Sequence, residues 1–337
     1  MCVKLNPQME REKKTVFVGL DVMKFVCALL VVFLHTYNHD WGDVGEWIHM
    51  NLSPIGVPFF FIVSGFLYMG KLQDSQDKSQ DYFLHYLRRV FYMYLFWSTI
   101  TLPVAWINIE VAHGDYSLFM KLLYIIRCFF FTGSIGIYWY ILALVYNCII
   151  FFYAMKWNMM KVLYVLSVVL FIIGVLYDGG MIRETFLGKV IHVIIGSERN
   201  FLNVGLFYMC VGAIMVENKK LLGINIHVLC LLLLLCLVLS SYMNSISSYR
   251  IMQAPLAFLL FVFALRTNMT TLSGVSLKMR QWSTALYLGH FPFILCFDYY
   301  LRRGSFIDVP MAVLFSLVLF YVINKVFPNR IAKIVYG

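Results

Sequence analysis

Residues 16–35 read VFVGLDVMKFVCALLVVFLH. A helix needs roughly 20 residues to cross the hydrocarbon core of a bilayer, and this stretch has that length. It is apolar except at Asp21, Lys24 and His35. At about 100° per residue, a step of about 11 residues returns to nearly the same helix face while advancing about 16 Å. His35 therefore stands above Lys24 on one stripe, and Asp21 joins that stripe from one turn earlier. Ionisable side chains are costly in hydrocarbon, so they normally face a bundle interior or a watery cavity and mark function. The plainer alternative is a lysine that snorkels to one interface and a histidine that rests among headgroups at the other. On the first alternative, the three groups look inward to one wet chamber shared along the helix.

The whole chain repeats the character of that stretch. Of its 337 residues, 61% are hydrophobic, 18% aromatic and only 13% charged, and the mean hydropathy is +0.79. No water-soluble domain needs so much apolar surface, so lipid must solvate much of it. A net charge of +10 would suit nucleic acid, but the cations sit in short loops between apolar runs. That is the pattern of membrane orientation, and no nucleic-acid partner is expected. The eight cysteines fall mostly within apolar runs and form no CxxC pair. They read as small hydrophobes, with no disulfide frame, metal site or bound cofactor. The opening MCVKLNPQMEREKKTVF is basic but is not followed by a small-residue cleavage site, so the first helix is expected to be retained.

Hydropathy predicts an all-α polytopic membrane protein with about ten transmembrane helices. The predicted spans are 16–36, 54–70, 87–108, 137–155, 161–177, 200–216, 221–242, 252–266, 281–300 and 308–327. Segment 117–132 is interrupted by Lys121 and Arg127 and reads as an interfacial helix. With the N-terminus cytoplasmic, most Lys and Arg fall in inner segments, among them Lys13, Lys14, Arg88, Arg89, Lys219 and Lys220, whereas Thr36 to Ile55 carries none. This asymmetry predicts that both termini are cytoplasmic. No tandem repeat or low-complexity tract is visible. The expected organisation is a single membrane domain over 1–337, with a cytoplasmic tail at 1–15, a helical bundle at 16–327 and a short cytoplasmic tail at 328–337.

Several groups have the chemistry for a site. His35 carries an imidazole, which accepts and returns protons near neutral pH and so suits a general base. In Pro58–Leu67, Ser64 and Gly65 are small enough for a neighbouring helix to approach closely. Arg88 and Arg89 open the third predicted helix. They are either an inside-positive anchor or a phosphate clamp, since the planar guanidinium binds phosphate bidentately. Arg199 and Asn200 could hold a sugar acceptor or a developing oxyanion, or simply a headgroup. Trp139 and Tyr140 fit an interfacial aromatic belt or a stacking platform for a sugar or an adenine ring. Ser283, Tyr287 and His290 recur at i, i+4 and i+7 and form one polar stripe. Pro292 removes a backbone donor and frees a carbonyl that a buried His290 could meet.

Taken in order, these pieces resemble the acyltransferase family 3 membrane proteins, O-acyltransferases that modify bacterial surface polysaccharides. The markers are GLDVMKFVCALLVVFLH, VPFFFIVSGFLYMGK, the basic pair in YLRRVFYMYLFW, the Trp of IYWYILALVYN, SERNFLNVGLFYMCVGAIM and ALYLGHFPF. They run from Gly19 to about Pro292. The resemblance implies an acyltransferase for groups other than aminoacyl groups. Acetyl-CoA or another acyl-CoA would be the donor. A hydroxyl of a cell-surface or lipid-linked glycan would be the acceptor, in a multi-pass protein of the bacterial inner membrane. His35 matches the family's first-helix His and would be the catalytic base. Lys24 matches an Arg thought to position the donor, with Asp21 beside it. Arg199 and Asn200 match an Arg-Asn element, and His290 a late His. Arg88, Arg89, Ser64, Trp139 and Tyr287 would complete the donor and acceptor contacts. The chain departs from the pattern in three places. Lys24 keeps the charge but loses the fork, Tyr92 stands where another Arg is frequent, and Ile137 and Tyr138 precede the Trp where a His is frequent. The rival expectation is an exporter of polysaccharide or of a small polar solute, with Asp, Lys and His lining its path. No inverted repeat is visible to favour it.

Overall fold

The computed structural model describes residues 17–186, 188–190, 200–218, 223–246, 252–267, 269–301, 307–327 and 335–336. All regular structure among the described residues is helical. In chain order the helices are α1 Val18–Thr36, α2 Gly42–Asn51, α3 Gly56–Asp74, α4 Ser79–Ile100, α5 Leu102–Ala112, α6 Leu118–Arg127, α7 Trp139–Lys156 and α8 Met160–Asp178. They continue with α9 Leu206–Glu217, α10 Ile226–Ile246, α11 Gln253–Arg266, α12 Ser273–Leu301 and α13 Asp308–Val326. Single π turns at Cys128–Thr132 and Phe201–Gly205 precede α7 and α9.

Each predicted span overlaps a helix, but fewer than ten meet the needs of a crossing. Among the described residues six stretches are long and apolar enough, or up to seven if α4 and α5, bent by 58°, are taken as one. The shortfall has local causes. Helix α11 has only 14 residues. Helix α12 has 29 residues, but Lys278, Arg280, Gln281 and Ser283 dilute its apolar character. Segment 117–132 becomes α6 and its π turn, and it continues toward α7 within one apolar stretch, Leu118–Lys156. Leu118, Phe119, Leu122, Leu123 and Ile126 are exposed there, while Lys121 turns inward onto Glu110 of α5 at 2.7 Å.

Helix α1 packs against α12 and α3, α3 runs along α9, and α12 leans on α13. The contact between α3 and α9 is made backbone to backbone. A Cβ at Gly65 would collide with the main chain of Met209, and a Cβ at Gly212 would collide with the carbonyl of Ile62. The small pair read from the sequence is therefore one half of a reciprocal glycine contact, which suits a medium where helices associate by close packing. Helices α8, α10 and α13 lie at the other extreme. They leave Val165, Leu166, Val169, Leu231, Leu234, Val238, Leu314 and Val318 exposed, surface that only lipid solvates without penalty.

Val335 and Tyr336 are buried. The Trp97 indole N–H donates to the Val335 carbonyl at 3.1 Å, and the Tyr336 ring packs on Phe320 at 4.8 Å between centroids.

The glycine contact makes a stability prediction. Gly65→Leu should overpack the α3–α9 seam and cost about 1–3 kcal/mol or more. This would be read as a lower unfolding midpoint in detergent. Gly70→Ala, whose added Cβ meets nothing nearer than Val216 at 4.0 Å, should not lower the midpoint and should raise it if anything, since Ala favours a helix interior over Gly.

Candidate active site

Two cavities flank α1 at different levels. The first, of about 420 Å³, is lined by Asp21 and Lys24 of α1, Ser64 and Lys71 of α3, Arg89 of α4 and Arg280 of α12, together with Tyr86, Tyr140, Tyr287 and Tyr336. Asp21 is buried, and its carboxylate accepts from Ser276 Oγ at 2.6 Å, Arg280 Nε at 2.9 Å and Arg280 Nη2 at 2.7 Å. Such a fork is the strong form of a charge-assisted bond. It also engages both carboxylate oxygens, so Asp21, expected among the catalytic groups, serves as the anchor of Arg280. With Asp21 engaged in this way, Lys24, Lys71 and Arg89 give the cavity an excess of positive charge, which favours an anionic ligand. Arg89 lies over the Tyr86 ring at 5.4 Å from its centroid. Its neighbour Arg88 is exposed and lines neither cavity, because adjacent residues on a helix point about 100° apart. Ser64 shares a hydrogen bond of 3.0 Å with the Tyr140 hydroxyl.

The second cavity, of about 480 Å³, is lined by His35 with Leu34, Pro58, Trp139, Asn203, Asp178, Gln253, Tyr124, Tyr287 and Phe291 among others. The His35 ring lies 5.4 Å from that of His290 and 5.1 Å from Phe291, centroid to centroid. Asn203 reaches the cavity because of the π turn. The side-chain oxygen of Asn200 accepts the backbone N–H groups of Leu202 and Asn203 at 2.9 and 3.1 Å. Asn200 is thus buried as a cap, and Asn203 is the member of the turn that lines the cavity. π turns of this kind are often found where a side chain is re-aimed at a site. Arg199 lies outside the described residues.

His290 is fully buried and lines neither cavity. Its Nδ1–H donates to the Leu286 carbonyl at 2.7 Å. The carbonyl that Pro292 deprives of its helical donor is that of Leu288, four residues earlier, and there the Tyr138 hydroxyl donates at 3.2 Å. His290 was one possible partner for such a carbonyl; the structure gives that task to a tyrosine before α7.

Lys24 and His35 therefore do not share one chamber. They open into two, and Tyr287 is the residue common to both walls among those described. Sequence reasoning missed Arg280 and Ser276, although the polar stripe of α12 carries a signal for them. Continued backward from Tyr287 and Ser283 at helical spacing, it reaches Arg280 and then Ser276. Asn203 and Gln253 had no comparable signal.

Comparison with known proteins agrees with this architecture. The model of the acyltransferase domain, family Acyl_transf_3, matches residues 17–325, and the chain belongs to that family. The match and the apolar helices identify a multi-pass membrane protein. More distant likeness is found to two proteins named amino-acid racemase in Enterococcus faecalis, 25% and 24% identical over 58% and 60% of this chain. A serine/alanine racemase of Enterococcus gallinarum is 22% identical over 68% of the chain. These matches cover 27%, 29% and 34% of the relatives' own lengths, so the chain spans about a third of them or less. No solved structure matches the chain.

The Asp21–Arg280 pair makes the prediction for this site. Arg280→Ala leaves a buried carboxylate without its cation and should cost about 3 kcal/mol. Adding Asp21→Asn to that variant removes the stranded charge and should recover most of the loss. Thermal unfolding of the two single variants and the double variant measures the coupling, and additive losses would show that the pair does not lock α1 to α12.

Proposed function

We propose that this chain is a membrane O-acyltransferase of the bacterial inner membrane. It moves an acyl group, most simply acetyl, from a cytoplasmic acyl-CoA to a hydroxyl of a cell-surface or lipid-linked glycan. The observation that carries this reading is the pairing of a cationic cavity with an imidazole cavity across one tyrosine, in a chain of an acyltransferase family. Lys24, Lys71, Arg89 and Arg280 suit the phosphates of a CoA donor. Trp139, Asp178, Asn203 and Gln253 give the His35 cavity the aromatic face and the polar groups that a sugar requires.

In the proposed reaction, His35 takes the proton from the acceptor hydroxyl as its oxygen attacks the thioester carbonyl. The Gln253 amide, which lines the His35 cavity, is the donor offered to the oxyanion that forms. Collapse of the tetrahedral species breaks the carbon–sulfur bond, and the protonated His35 returns its proton to the departing CoA thiolate. The products are the ester and free CoA. His290, held by the Leu286 carbonyl beside the His35 ring, positions that ring and does not touch substrate.

Passage of a solute is the second reading. The same two cavities on either side of a thin wall favour it, since a pathway through a bundle needs openings at both levels. Labelled acyl-CoA separates the two. Membranes with normal amounts of His35→Ala should transfer label to glycan about 10²–10⁴-fold more slowly than wild type. Arg89→Ala should mainly raise the KM for the donor. Undiminished labelling by His35→Ala removes the proposed base, and a wild type that leaves acyl-CoA unconsumed while changing the amount of exported material favours passage.

A further inference from the structure

We infer that Tyr287 is both the seal between the two cavities and the aperture through which the acyl end of the donor passes, so that its ring sets the size of the group transferred. The aperture half rests on the two-sided transfer proposed above; the seal half does not.

Tyr287 alone among the described residues lines both cavities. A reciprocal pair of bonds holds it in the wall. Its hydroxyl donates to the Ile137 carbonyl at 2.6 Å, and the hydroxyl of the adjacent Tyr138 donates back to the Leu288 carbonyl at 3.2 Å. That second bond exists because Pro292 leaves the Leu288 carbonyl without a helical donor. Two tyrosines thus cross-link α12 to the turn before α7 at the level where the cavities meet. The Tyr287 ring is backed by Phe60 and Tyr140, at 5.9 and 5.2 Å between centroids, and Tyr140 is held in turn by Ser64.

The position of this ring has two consequences. A continuous wet path between cavities of about 420 and 480 Å³ would let protons cross the bundle, and an aromatic constriction prevents that. For transfer, however, a thioester carbon on the Lys24 side must reach an oxygen beside His35, and the ring stands between them. Exchanging the single Ile137 bond for one to water or substrate frees the ring to turn about its Cα–Cβ bond. The opening it leaves admits a short acyl group and excludes bulkier ones.

The test uses the full chain in proteoliposomes loaded with a pH-sensitive dye. Tyr287→Ala should collapse an imposed pH gradient about tenfold faster than wild type or more, whereas Tyr287→Phe, which keeps the ring, should stay tight. Tyr287→Ser serves the same purpose should the alanine variant fail to fold. In the same vesicles, the ratio of hexanoyl to acetyl transfer should rise about tenfold or more in the small-side-chain variants. A folded Ala or Ser variant as tight as wild type overturns the seal. A leaky variant with an unchanged acyl ratio overturns the aperture. Should wild type transfer no acyl group while Tyr287→Ala still leaks, the transferase reading falls with the aperture and the seal stands.

Discussion

A charge placed in a helix bundle inside lipid must be compensated where it stands. Asp21 meets that demand by gripping Arg280 with both carboxylate oxygens and accepting from Ser276 as well. The pair fixes the rotation and height of α1 against α12. With that register set, Lys24 falls into one cavity and His35 into the other, and the face of α12 that carries Tyr287 and His290 turns toward α1. Loss of this contact would not simply remove a charge; it would free the two helices on which both cavities depend.

Helix α12 carries the rest of the consequence. Its polar stripe anchors Asp21 at Ser276 and Arg280, divides the cavities at Tyr287 and sets a fixed imidazole beside His35 at His290. Pro292 interrupts the backbone ladder just beyond, and the carbonyl it frees becomes the attachment point for Tyr138. A helix defect therefore acts here as a joint between α12 and the approach to α7. Membrane helices tolerate such defects when side chains of neighbouring elements take up the freed groups.

Lipid as solvent also explains the two kinds of helix surface. Where the burial of apolar area in lipid offers little driving force, helices meet through small residues and close backbone contact, as at Gly65 and Gly212. Where they face outward, they keep long aliphatic side chains, as on α8, α10 and α13. The same accounting limits how many helices qualify as crossings, since α11 is short and α12 is polar along much of its length.

The sequence alone determined the all-helical membrane character, the place of most helices but not of α2 or of the break between α4 and α5, and the stripe that joins Asp21, Lys24 and His35. These follow from composition and from the 3.6-residue period, both local properties. It also carried the family resemblance, because the motifs lie in order along the chain. Only the tertiary structure decided which of two nearby residues meets a cavity, as with Arg89 and not Arg88, or Asn203 and not Asn200. It also decided that one stripe opens into two chambers. The reason is physical: pairing, capping and the sharing of a wall depend on distances between segments as far apart as Asp21 and Arg280, which no periodicity within a single helix records.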